Sequence, residues 1–246
     1  MASGAIDTAM IFSAGLGKRM LPLTNSVPKP LVRVLNRPIL DYIFDLVIEA
    51  KIQNIVINSH HLAPQIESYI IQKSKTFQNI QLSHEDILLE TGGGIVKALP
   101  MLGKKPFFTL NGDSIIINSK GNSILSDMQK AWDADKMDIL MLLHPTKKAV
   151  CYSGPGDFNL TENGNLVRPK SDQADYVFAG VHIFKPELFS QYDIHPFSLR
   201  EIYKERTHQN GELYRVCGIV NNGDWLHVDT PESIVVAESY LKNNEV

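Results

Sequence analysis

Three clusters in this 246-residue sequence combine residue types suited to phosphate, a flat ring or a metal ion. The first is Gly15-Leu16-Gly17-Lys18-Arg19-Met20-Leu21-Pro22-Leu23-Thr24, followed by Pro28-Lys29-Pro30-Leu31. Glycines allow backbone N–H groups to cradle triphosphate oxygens, and an arginine such as Arg19 forks onto them. Lys29, held between two prolines, is a rigidly presented point charge. The second cluster, Glu90-Thr91-Gly92-Gly93-Gly94, puts glycines at an expected helix start, where a nucleobase and ribose can lie against backbone amides. The third, Asn111-Gly112-Asp113, ends an apolar run with a carboxylate able to hold Mg²⁺ beside phosphates. Each has a plainer alternative on these residues alone: a strand-to-helix turn with solvated charges, a glycine hinge, and an ordinary turn.

The elements that must position these clusters alternate. Ala9-Met10-Ile11-Phe12 reads as a buried strand feeding the first loop, Pro38 to Ala50 has helical periodicity, and Ile52 to Asn58 is a second apolar strand, together a βαβ unit. A helix over Ala63 to Lys73, a strand near Ile80 to His84, a helix opening around Gly93-Gly94 and running to Leu99, and a strand Phe107 to Leu110 follow. The first half therefore predicts a mainly parallel sheet covered by helices on both faces, with ligands at the carboxyl ends of its strands. Beyond it lie a helix over Ser123 to Asp133 and the strand Asp138 to Leu143. Residues 149–184, punctuated by Gly154-Pro155-Gly156 and Asn163-Gly164, read as hairpins. Helical stretches Pro186 to Phe189 and Leu199 to Arg206, a strand Leu213 to Val220 and a closing helix Pro231 to Lys242 complete the chain.

Composition removes several classes. Twenty-four Lys and Arg against 27 Asp and Glu give a net charge of -3, so neither nucleic acid nor an anionic membrane is expected as partner. No apolar run reaches the roughly 20 residues a membrane span needs, and residues 1–8 lack the basic and apolar regions of a signal peptide. Cys151 and Cys217 form no CxxC pair and read as reduced thiols of a cytoplasmic protein. Neither GxGxxG, which needs glycine where Met20 stands, nor G-x4-G-K-[ST] occurs.

Taken together, Phe12 to Met20, Pro22-Leu23-Thr24 and Pro28-Lys29-Pro30-Leu31 resemble the signature of sugar-1-phosphate nucleotidyltransferases, and the likeness runs from Ala9 onward. Within that family the chain is most similar to short uridylyltransferases acting on N-acetylmuramate 1-phosphate, on the strength of Glu90-Thr91-Gly92-Gly93, with mannose-1-phosphate guanylyltransferases next. The resemblance implies a Rossmann-like three-layer α/β/α sandwich with a mainly parallel mixed sheet. It also implies a flexible extension over 1–8 and one domain over 9–246, its nucleotide part about 9–145 and its sugar part about 146–246. Ala14, Gly15, Gly17, Glu90, Thr91, Gly92 and Gly93 become nucleotide contacts, and Arg19 and Lys29 catalytic residues. Asp157, Arg168 and Gly180 fall on the sugar-phosphate side, Gly180 making room for the sugar ring.

Asp113 corresponds to a metal ligand of the family. Trp225-Leu226-His227-Val228-Asp229-Thr230-Pro231-Glu232 resembles the family's W-x-D-[VI]-G-T-P-E, with His227 at the second metal-ligating Asp and Asp229 at the Gly. An imidazole is a poor Mg²⁺ ligand, and on a regular strand Asp229 lies about 6–7 Å beyond His227 on the same face. Either the backbone is irregular there, or Asp113, phosphates and water hold the ion; His227 can equally be a hydrogen-bonding residue that never touches metal. The implied reaction takes a nucleoside triphosphate, a sugar 1-phosphate and Mg²⁺. Its rivals are a guanylyltransferase of mannose 1-phosphate and a catalytically silent nucleotide-binding homologue. The sequence after Asp229 has no room for an oligomerising β-helix, so a monomer or simple homodimer is expected.

Overall fold

Alternation along the central strands decides which helices lie on which side of the sheet. The computed structural model describes residues 5–74 and 79–244. In β1 (Thr8–Phe12), Ala9 and Ile11 face one layer and Met10 the other, as the two-residue period of a strand requires. On the first side β1 packs with α1 (Ile39–Glu49), α2 (Ala63–Lys73) and α4 (Ile124–Ala131), through Ile43, Phe44, Val47, Ile66, Ile70, Leu125 and Met128. On the second it meets α3 (Glu90–Leu102) and α5 (Leu199–Glu205), through Ile95, Ala98, Leu102, Leu199 and Ile202. Three layers result, and burial of both faces explains why the central strands are continuously apolar.

Among the described residues the main sheet has nine strands. Parallel to β1 run β4 (Asn54–Ser59) on one flank, then β5 (Asn79–His84), and β6 (Phe107–Asn111) on the other. The sheet continues as β11 (Tyr176–Phe184), β8 (Ile139–Pro145), β12 (Glu212–Val220), β10 (Asn165–Val167) and β9 (Asn159–Leu160). Here β11 is antiparallel to both neighbours and only β8 with β12 is parallel, so the sheet is mixed, its parallel character concentrated in the first half. Chain direction switches at β1, from which one crossover leads to β4 while the later β6 returns to the opposite flank. The carboxyl ends of β1, β4, β5 and β6 therefore open on one crevice.

Two short pairs stand outside the sheet. One is β2 (Arg33–Val34) with β3 (Arg37–Pro38); the other is β7 (Ser114–Ile117) with β13 (Asp224–His227), which sets Ser114 opposite His227. They share a third core with α6 (Pro231–Asn243), built from Met20, Val34, Ile115, Leu226 and Leu241. Thr230 and Ser233 cap α6 reciprocally, which fixes the chain just after His227.

Several expectations change. The helix expected around Gly93-Gly94 already begins at Glu90 and contains all three glycines. Asn163-Gly164 does turn a hairpin, between β9 and β10, but Gly154-Pro155-Gly156 does not: this segment wraps Tyr152, whose hydroxyl accepts the Gly156 N–H at 3.2 Å. Of the extension expected over residues 1–8, residues 1–4 lie outside the described residues, whereas Ile6 is buried in the first core and Thr8 opens β1. Among the described residues no helix is long and apolar enough to cross a membrane, and Cys151 and Cys217 are free, half-buried thiols.

At the opposite end of the sheet Asp138 faces three cations, Lys185 at 3.1 Å and Arg206 and Arg215 at 3.0 Å each. Burial alone raises its carboxyl, but hydrogen bonds from Lys185 and Arg215 and the charges of both arginines outweigh this and hold it below the usual range. A depressed folded value stabilises the fold above the unfolded pKa of about 3.9, and that contribution is lost as pH falls through the folded value. Asp138→Asn is expected to cost about 1–2 kcal/mol at pH 7, after discounting for solvent access. In urea melts the gap to wild type closes as pH is lowered from about 4 towards 2; a gap that stays constant contradicts the assignment.

Candidate active site

The loop after β1 is set by a buried polar chain. Ser13 N–H donates to Asn58 Oδ1 at 2.7 Å, Asn58 Nδ2 donates to Glu85 Oε1 at 2.7 Å, and Glu85 Oε2 accepts the Leu89 N–H at 2.9 Å. Glu85 is fully buried and Asn58 nearly so, which ties the connections after β1, β4 and β5 into one rigid wall. Gly17, at φ +60°, closes the loop: a Cβ there meets Thr24 Cγ2 at 2.8 Å, and Thr24 Oγ1 donates to Gly17 O at 2.9 Å. Gly15 has open space where its Cβ would stand. It faces a cavity of about 370 Å³, lined also by Ala14, Lys29, Glu90, Thr91, Asn111, Asp113 and Ser198.

Pro28 and Pro30 bracket a short turn that buries Lys29 and leaves its Nζ 3.0 Å from Asp113 Oδ2. Asp113 comes from the opposite direction, just beyond β6, where the chain turns through Gly112 into β7. Gly112 is required there, because a Cβ would stand 2.2 Å from Phe12 O. Burial pushes the Asp113 carboxyl up, but the Lys29 ammonium, with His227 and Arg19 behind it, holds it below the usual carboxylate range, so it carries charge.

A second cavity of about 550 Å³ adjoins the first. Asn111 and Asp113 line both, and Arg19, Tyr152, Asp157, Arg168, Phe178, Arg200, Tyr203 and His227 line the second. Behind it His182 is buried between Phe178 and Phe184, with Thr109 Oγ1 at 3.0 Å from Nδ1 and Tyr203 Oη at 2.7 Å from Nε2. Burial pushes the His182 pKa down to about 3, so the imidazole is neutral and has one donor and one acceptor to offer these hydroxyls.

Ala14, Gly15, Lys29, Glu90, Thr91 and Asp113 thus meet at the first cavity, and Arg19, Asp113, Asp157, Arg168 and His227 at the second. Gly17, Gly92, Gly93, Gly180 and Asp229 line neither. Gly92 and Gly93 donate their N–H groups to Phe197 O, at 2.9 and 3.3 Å; a Cβ on Gly92 strikes the Phe197 ring at 2.2 Å, and one on Gly93 strikes His195 O at 2.1 Å. The close approach these glycines permit within the protein is to its own 193–199 segment. Gly180, at φ +83° in an irregular stretch of β11, likewise makes room for Asn111, whose Cβ lies 3.1 Å from the added atom.

Asp229 does not sit further along a strand. β13 ends at His227, and the cap of α6 turns Asp229 back so that its carboxylate lies 3.2 Å from His227 Nε2 and pairs with Arg19. Among the described residues no group of three or more His, Cys, Asp or Glu converges to hold a metal ion. Asp113, which lines both cavities and whose Oδ1 contacts only Ser114 Oγ at 3.5 Å, suits an ion that keeps water and phosphate ligands. Asp229 and His227 are engaged with each other and do not suit one.

Sequence reasoning passed over Asn58, Glu85, Ser198, Arg200 and Tyr203. Polar residues at or just after the ends of β4, β5 and β6 carried a usable signal, since parallel strands place their ends at ligand crevices. Arg200 and Ser198 carried none.

The nucleotidyl transferase family model matches residues 8–244. N-acetylmuramate alpha-1-phosphate uridylyltransferase of Caulobacter vibrioides is 38% identical, over 97% of this chain and 98% of its own length. Mannose-1-phosphate guanylyltransferase catalytic subunit beta of Drosophila melanogaster is 26% identical, over 92% of this chain and 60% of that protein. In three dimensions, a UDP-glucose pyrophosphorylase solved with UDP-glucose superposes with a TM-score of 0.72 at 16% identity, over 97% of this chain and 99% of that one, a likeness of fold. With phosphate-suited groups at two adjoining cavities and a family match over nearly its whole length, the chain belongs to the nucleotidyl transferase family.

Proposed function

We propose that the protein is a sugar-1-phosphate nucleotidyltransferase that joins UTP to N-acetylmuramate 1-phosphate and releases pyrophosphate. The observation that carries this reading is the pair of cavities meeting at Asn111 and Asp113 with Lys29 at the junction. The nucleotide enters the first, against Ala14, Gly15, Glu90 and Thr91, and the sugar phosphate the second, against Asp157 and Arg168. The choice of uracil and muramate is supported by the relative 38% identical over nearly its full length.

An oxygen of the sugar phosphate attacks the α-phosphorus; the new P–O bond forms as the bond to the β-phosphate oxygen breaks, and that electron pair leaves with pyrophosphate. The nucleophile is already an anion near neutral pH, because the second pKa of a phosphate monoester is about 6, so no general base is required. Lys29 stands where charge gathers between the two phosphates, and Arg19, tethered by Asp229 and lining the second cavity, adds positive charge near Asp113, where the phosphates meet. Mg²⁺, held by Asp113, supplies further neutralisation of phosphate charge when bound. The reading carries with it a cytoplasmic location, where UTP is supplied.

Pyrophosphate release is measured with Mg²⁺ across UTP, GTP, dTTP, ATP and CTP against the 1-phosphates of N-acetylmuramate, mannose and glucose. Release with UTP and the muramate substrate alone is expected. Activity confined to GTP and mannose 1-phosphate makes the protein a guanylyltransferase, and silence with nucleotide still bound makes it a binding protein.

A further inference from the structure

The second cavity carries, besides Arg19 and the Arg168 placed on the sugar-phosphate side, a third guanidinium, Arg200, to which the reaction as read so far gives no partner. Arg168 follows β10, with its guanidinium 4.8 Å above the Phe158 ring, and Arg200 projects from the first turn of α5. Among the described residues neither guanidinium has an ion pair or a hydrogen bond. The other two Lys or Arg residues lining the cavities are matched, Arg19 to Asp229 and Lys29 to Asp113. Asp157 lines the same cavity but turns an oxygen to the Phe178 N–H at 2.9 Å and pairs with neither arginine.

The positive charge falls into two separate groups. Lys29 and Arg19 are held by Asp113 and Asp229, whereas Arg168, over the Phe158 ring, and Arg200, at the start of α5, line the cavity without an anionic partner. The first group takes the phosphoryl groups of the reaction. A sugar 1-phosphate has a single phosphate, which Arg168 meets on the sugar-phosphate side, so Arg200 is left for another anion on the sugar itself. A planar guanidinium in a cavity walled by Phe158 and Phe178 matches a carboxylate, through two parallel hydrogen bonds.

We propose that Arg200 binds a carboxylate carried by the sugar, so that the enzyme selects a sugar acid over a neutral sugar with the same ring. The inference rests on the reading that the second cavity takes the sugar 1-phosphate. It makes Arg200 a specificity-determining residue.

N-acetylmuramate and N-acetylglucosamine 1-phosphates differ only in the lactyl ether that bears the acid, which makes them the test pair. With saturating UTP, wild-type kcat/KM is expected to favour the acid strongly. In Arg200→Gln the ratio between the two substrates falls by about ten- to a hundredfold, chiefly through KM for the acid, as expected when a carboxylate loses a charged partner. Arg200→Lys, which keeps the charge but not the fork, gives an intermediate ratio. A ratio unchanged by either substitution overturns the proposal while leaving the reaction in place. No turnover of either sugar by the wild type overturns the substrate reading, and this inference with it.

Discussion

Lys29→Ala lowers kcat by about a hundred- to a thousandfold, the loss typical when one preorganised donor is removed from a developing negative charge. The dissociation constant for UTP, followed by titration calorimetry, changes little by comparison. The split follows from where the ammonium stands. Lys29 is 8% exposed and its Nζ points at Asp113, at the join of the two cavities and away from the base end near Glu90 and Thr91. A group so placed meets charge that appears only as the two phosphates come together, and contributes to the transition state more than to nucleotide binding. Thermal melts accompany the kinetics, because the substitution leaves Asp113 without its closest cation and some loss of stability is expected. An unchanged turnover number sinks the assignment of Lys29.

Gly93→Ala is expected to destabilise the fold by at least about 2–3 kcal/mol, as overpacking against rigid surroundings does, and to lower Tm by roughly 5–10 °C in a chain of this size. The added methyl falls 2.1 Å from the backbone oxygen of His195, which no side-chain rotation can move. Gly92→Ala meets the Phe197 ring at 2.2 Å, a side chain with some freedom to give, and is expected to cost less. Gly15→Ala provides the contrast: nothing lies within 4 Å of its Cβ, so Tm holds while the new methyl occupies nucleotide space and weakens UTP binding. Equal Tm values for Gly93→Ala and wild type are incompatible with the docking of the 193–199 segment described above.

These two glycines also mark where sequence reading succeeds and where it stops. The loop after β1 was legible because a buried strand ending in glycines and cations can be recognised locally, and the structure brings Ala14, Gly15 and Lys29 to one cavity. The layered fold was legible for the same reason, since periodicity is local. At Gly92 and Gly93 the sequence reports only that something comes close. What comes close is Phe197 and His195, a hundred residues away in the chain, and no local pattern announces them. At Asp229 the sequence left open whether the backbone is irregular, and it is: the strand stops at His227 because the cap of α6 claims the following residues. The residue that comes close to Gly180, Asn111, likewise lies on the neighbouring strand.

The 193–199 segment has a further consequence, for recombination of this protein with its relatives. Ser198 lines the nucleotide cavity and caps α5, while Leu199 N–H donates to Thr91 Oγ1 at 3.0 Å and Phe197 takes the Gly92 and Gly93 amides. A chimera cut near residue 145, taking its sugar half from another family member, imports a foreign strap that must fit the glycine face of α3. The crossover that keeps both halves intact carries residues 89–94 together with 193–200, although the two stretches lie far apart along the gene.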